Sequence, residues 1–198
     1  SDNFVYKYDQ IIKKIIIKKY ANNSSNLIEL GCGTGNGTLL ACKVLDESVK
    51  ITASDWSENA VQILKEISKN EKKDIAATRF NMLNLEGWDD LNIKNDSTII
   101  SFHALEQLGN KYHLLLNNLQ KKKCLCVHLE PIQEFYNNNN LFDNLARRYH
   151  KKRNYLGKYL TDIENLEIKK KAKIFEKTRI HFGDRFHEAY GLVVWKGV

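Results

Sequence analysis

Two rhythms of apolar positions run along this chain. Short, nearly continuous apolar runs at 27–30, 49–55, 75–81, 97–102 and 124–129 predict buried strands of the kind found in parallel sheets. Around them the spacing turns helical: residues 4–20 read as an amphipathic helix, 38–45 as a second, and Ala60, Ile63, Leu64 and Ile67 form the i, i+3, i+4, i+7 face of a third. Past the fifth strand, Phe142, Leu145, Ala146 and Tyr149 make one helical face and Leu156, Tyr159, Leu160 and Ile163 another, which predicts a helical insertion over 133–168. Two final strand patterns, near 172–179 and 190–195, are joined by a short link and predict an antiparallel hairpin. The length suits one domain, 1–198, opened by a leading helix within 1–22.

The first strand runs into alternating glycines, Gly31, Gly33, Gly35 and Gly37. Glycine there permits positive φ and lets another molecule lie against bare main chain. Spacing narrows the choice of molecule. A dinucleotide fingerprint beginning at Gly31 would need glycine where Asn36 stands, and one beginning at Gly33 would need it where Thr38 stands. The Gly-Lys-Ser/Thr ending of a P-loop occurs nowhere in the chain. Asp55 ends the second strand, where a carboxylate for ribose hydroxyls belongs, although an acid after a strand also serves as a helix cap. Loop and carboxylate together point to a nucleoside cofactor.

The run Glu29-Leu30-Gly31-Cys32-Gly33-Thr34-Gly35 resembles the first motif of class I S-adenosylmethionine (SAM) methyltransferases. The resemblance spans nearly the whole chain. It implies an α/β fold, a Rossmann-like three-layer sandwich whose seven-stranded, mostly parallel sheet ends in an antiparallel strand. It also implies that Glu29, Gly31, Cys32, Gly33 and Gly35 hold the methionine end of SAM and that Asp55 takes the ribose. Trp56, Asn81, Met82 and Phe102 complete the implied cofactor site, with Trp56 and Asn81 each also readable as merely packing or capping a turn. The leading helix closes over the cofactor in such proteins, which makes Tyr6 and Tyr8 candidates to touch it. The segments 103–107, 130–132, 153–155 and 193–195 are further similar to small methyltransferases associated with bacterial surface-polysaccharide genes. An Asn/Asp-Pro-Pro-Tyr/Phe tetrapeptide after the fourth strand, usual in enzymes that methylate base amino groups, is missing.

Methyl transfer needs an aligned nucleophile and, for a hydroxyl acceptor, a base. His103 and Glu130 follow the ends of the fourth and fifth strands and are the candidate bases; the alternatives are that His103 orders the cofactor and Glu130 holds the loop. Glu106, Gln107, Arg153, Tyr155 and His187 are the candidate substrate contacts. No metal site is assigned, and a set such as His103, Glu130 and His187, on three separate loops, stays open because its spacing is not testable in the sequence.

Charge bears on the acceptor. The net charge is +7, and residues 141–160 hold six basic residues against Asp143 alone. This favours an anionic partner, a small molecule or glycan, with nucleic acid or protein as the alternative acceptor and a catalytically silent partner subunit as the alternative role. Arg153 is expected on the inward face of the insertion's first helix, four residues past Tyr149. The four cysteines fit no disulfide or zinc framework and predict reduced thiols in a cytoplasmic protein. The run 11–19 is interrupted by lysines and predicts a surface helix rather than a membrane span or signal peptide.

Overall fold

The computed structural model describes residues 2–70, 74–181 and 190–198. Helix α1 (Asp2–Ala21) leads into β1 (Asn26–Leu30), α2 (Asn36–Val44), β2 (Lys50–Asp55), α3 (Glu58–Asn70) and β3 (Ile75–Arg79). β4 (Thr98–Phe102), α4 (His113–Lys122) and β5 (Leu125–Glu130) follow, then α5 (Leu141–Arg153), α6 (Tyr159–Ile168), β6 (Ala172–Arg179) and β7 (Gly191–Gly197).

The seven strands form one sheet in the order β3-β2-β1-β4-β5-β7-β6. β1 to β5 pair in parallel, while β7 runs antiparallel to both β5 and β6. The order reverses beside β1, at the crevice where open parallel sheets bind ligands. Each face of the sheet carries its own apolar layer. Leu27, Ile100, Val127 and Leu129 pack with α1, α2 and α3, and Ile28, Leu30, Ile99 and Cys126 pack with α4 and α6. Side chains two apart on a strand share a face, so Glu29 belongs to the α2 side and His128 and Glu130 to the α4 side.

α5 departs from its predicted face. Asp143, Ala146 and His150 point inward, whereas Phe142 and Leu145 are exposed. Polar anchors explain the rotation. Arg179 donates to Asp143 through both guanidinium nitrogens, at 2.8 and 2.6 Å, and to the Phe135 carbonyl at 3.2 Å, tying α5 to β6. His150 lies 3.4 Å from the Tyr136 hydroxyl. The asparagines before α5 are also built in, because Asn140 caps the helix by accepting from the amides of Phe142 and Asp143. Arg153 is therefore on the solvent side, its guanidinium 5.5 Å over the Tyr149 ring rather than pointing inward.

Candidate functional site

The glycine loop leaves β1 with positive φ at Gly31, Gly33 and Gly35. At Gly31 a Cβ would come within 2.5 Å of the Ala104 Cβ, and at Gly35 within 2.9 Å of Leu64, so both glycines let the loop pack down. Gly33 is different: nothing lies within 4 Å of where its Cβ would be, and its bare backbone borders a cavity of about 480 Å³. That volume is within the usual range for small-molecule sites. Asp55 closes one wall. Its carboxylate accepts from the Gly33 amide at 3.0 Å and the Ser57 amide at 2.9 Å, holding the loop against the start of α3. Each oxygen keeps a lone pair for a further donor.

Trp56, Asn81 and Met82 line the same cavity, and so does Gln107, a candidate substrate contact by sequence. The Asn81 carbonyl oxygen accepts from Leu83 N at 2.9 Å, capping the turn, which leaves its amide NH₂ to address a ligand. Leu83 and Ala104, within segments the sequence pointed to, line it too, and Phe80 and Leu108 are further lining residues that the sequence did not single out. Their signal was position, in the segments that follow Arg79 of β3 and Phe102 of β4. The donor set fits a nucleoside: bare main chain, one carboxylate for vicinal hydroxyls, and an apolar slot with an amide at its rim.

Glu29, Cys32 and Phe102 lie beneath this surface rather than in it. Glu29 is 3% exposed and accepts from the Thr38 hydroxyl at 2.5 Å, under the start of α2, where a Cβ on Gly37 would strike it. Phe102 packs below Lys13, whose ammonium is 5.5 Å from the ring centre. Burial pushes the Cys32 thiol far up, so it is an inert core group.

Burial also raises the Glu29 carboxyl to about 7, against the opposing pull of Thr38 and Lys13. A carboxyl raised on folding binds its proton more tightly in the folded state, so its contribution is fully present below about pH 4.5 and is lost as pH rises to about 7. Glu29→Gln should therefore stabilise the protein at pH 8 by about 2–3 kcal/mol relative to the native chain, with the gain vanishing near pH 4.5. Denaturant unfolding at the two pH values measures this; a gain equal at both would reject it.

At the ends of β4 and β5 the two candidate bases part company. His103 has φ 56 and a side chain 27% exposed, with Nδ1 3.4 Å from Glu106 Oε2. Its ring meets Tyr190 edge-on at 4.9 Å, and Tyr190 in turn donates to Asp9, which pairs with Lys13 at 2.9 Å. Through this chain of contacts α1 reaches the side of the sheet on which His103 lies; Tyr6 and Tyr8 themselves are exposed. Glu130 was expected to face the cleft, but it is fully buried. Its Oε1 accepts from Ser101 Oγ at 2.7 Å and from the amides of Ala104 and Leu105 at 3.1 Å, and Oε2 accepts from Glu106 N at 3.3 Å. Since Ser101 gives its proton to Glu130, His128 Nδ1 donates to Ser101 at 2.9 Å, and burial holds His128 neutral with its pKa lowered to about 3. Burial pushes Glu130 itself above the usual carboxylate range, opposed by His103 and Ser101. This carboxylate orders the 104–106 turn.

The remaining expected contacts are elsewhere. Glu106 is buried behind His103, Tyr155 borders a separate cavity on the α4 side, and His187 lies outside the described residues. Among the described residues no group of three His, Cys, Asp or Glu side chains is placed to hold a metal, and no helix is long and apolar enough to cross a membrane.

Comparison with known proteins gives the fold. No protein-family model matches the chain. A ribosomal protein L11 methyltransferase of Thermotoga neapolitana is 29% identical over 100 residues, which is 50% of this chain and 37% of that protein. The chain thus spans little more than a third of that relative's length. Among solved structures, an O-methyltransferase from Bacillus cereus in complex with SAH superposes with a TM-score of 0.59 at 10% identity, covering 96% of this chain and 81% of the other. The [4+2]-cyclase SpnF superposes with a TM-score of 0.65 at 10% identity, covering 94% and 80%. The architecture is the Rossmann-like fold of the methyltransferases.

Proposed function

We propose that this chain, which carries the methyltransferase fold, binds SAM in the cavity above the glycine loop and transfers its methyl group to an acceptor held beside His103. One observation carries the reading: Gly33 presents open backbone opposite the Asp55 carboxylate, with the Asn81 amide and an apolar slot beside them. SAM supplies an electrophilic methyl on a sulfonium. The protein's part is to align the acceptor and remove its proton, and His103, oriented by Glu106, is suited to a hydroxyl acceptor. The basic surface supports a small anionic molecule or a glycan as acceptor. The match to a ribosomal-protein methyltransferase supports protein as the second reading.

Cofactor binding is tested by calorimetry with SAM and SAH. Asp55→Ala removes a charge-assisted partner of the ribose and should weaken binding by about one to two decades. A folded Asp55→Ala protein with unchanged affinity would sink the cofactor assignment. The acceptor class is separated by incubating the protein with methyl-labelled SAM and cell extract divided into small-molecule, glycan, RNA and protein fractions. Label in the protein fraction alone would favour the second reading. SAM binding with label in no fraction would point to non-transfer chemistry, of which a cyclase on this fold is an example.

A further inference from the structure

We infer that the cavity between α5, α6 and the turn before α4 is a second ligand site, one that takes a hydroxyl-bearing anion of the sugar-phosphate kind. Its volume is about 730 Å³, larger than a simple anion needs and within the range of small-molecule sites. No described residue lines both this cavity and the one above the glycine loop. One loop divides them. Ala104, Gln107 and Leu108 face the first, whereas Asn110, Tyr112 and His113 face the second. Gly109, between them, has φ 57, and a Cβ there would lie 2.6 Å from the Asn154 carbonyl, so the loop is wedged against the end of α5. The inference goes beyond methyl transfer and does not rest on it.

Three kinds of group meet in this cavity. Arg147 and Lys151 stand one turn apart on α5, on one face of the helix, and Lys158 adds a third cation from the turn before α6. That set favours an anion, and a forked guanidinium beside ammonium groups suits a phosphate. Tyr155, half-buried, supplies apolar ring surface of the kind that sugar rings lie against. Glu134 and Asp162 supply acceptors. Glu134 Oε1 is occupied by the Leu160 and Thr161 amides at 2.9 and 3.2 Å, but its Oε2 is buried with no hydrogen-bond partner among the described residues. A buried carboxylate oxygen without a donor is costly, and a ligand hydroxyl is the donor that would complete it. Cations for the phosphate, a carboxylate for hydroxyls and a ring for the sugar face together describe one ligand class.

Calorimetry in about 0.15 M salt tests it, with hexose phosphates, glycerol phosphate, inorganic phosphate and glucose as probes and SAM binding recorded in parallel. At least one phosphorylated polyol should bind saturably and more tightly than inorganic phosphate or glucose alone. Arg147→Gln with Lys151→Gln should weaken that binding by about tenfold or more and leave SAM affinity unchanged. Arg148→Gln with Lys152→Gln removes the same charge from neighbouring positions that do not line the cavity, and should have little effect. The inference falls if no phosphorylated polyol binds, if inorganic phosphate binds equally well, or if the two double variants lose affinity equally. Loss of SAM binding in the native protein would instead count against the proposed function and leave this one standing.

Discussion

Replacing Glu130 by alanine is expected to unfold the reaction-side turn and cost the protein about 3–5 kcal/mol, the largest stability loss of any single change proposed. The carboxylate is the common acceptor for one hydroxyl and three amides in a region closed to water. Its removal leaves three amides buried and unpaired, while the Ser101 hydroxyl keeps His128 as a partner. Thermal unfolding followed by circular dichroism measures the loss. Glu130→Gln serves as the graded variant, because it keeps the Oε1 acceptor while turning an NH₂ toward the Glu106 amide; it should fall between the native chain and Glu130→Ala. A fully stable Glu130→Ala protein that has lost only turnover would mean that the residue is a base after all.

His103 calls for the opposite pattern. Its φ of 56 means that an ordinary truncation would also strain the backbone, so the informative variant is His103→Asn, which tolerates the left-handed region. With labelled SAM and the acceptor fraction found as described above, turnover should fall about 100-fold or more. SAM affinity and unfolding temperature should stay near native values, because His103 does not line the cofactor cavity. Near-native turnover would reject His103 as the base. Glu106→Gln should produce a smaller loss in turnover, consistent with a residue that orients the imidazole from 3.4 Å.

The strands were legible as short apolar runs, and the glycine loop because bare backbone needs a residue type with no substitute. Asp55 and Asn81 were each open to a functional and a capping reading, and the structure has them capping while lining the cavity. Reading failed where polar groups do the work of burial. α5 turns Asp143 and His150 inward because Arg179, 36 residues away from Asp143 in the chain, supplies a partner that no local pattern contains. Glu130 was placed at the correct strand end, but its hydrogen bonds come from the turn after a different strand. The second cavity was invisible for the same reason. Two of its cations stand on one basic helix, yet the third comes from the turn before α6 and its acceptors from the segments around 134 and 162.

The position of β7 bears on how the chain is made. Residues 191–197 are the last of the seven strands in sequence, yet they lie inside the sheet, paired to β5 on one side and β6 on the other. During synthesis, β5 must wait as an open parallel-sheet edge, and β6 lacks its partner β7, until residues 191–197 leave the ribosome. An unpaired apolar edge of that kind is where nascent chains associate wrongly. Trp195, fully enclosed in β7, reports the moment of closure. Its fluorescence should change in the same step in which the hairpin docks, so a nascent chain halted before residue 191 is the form of this protein most dependent on chaperones.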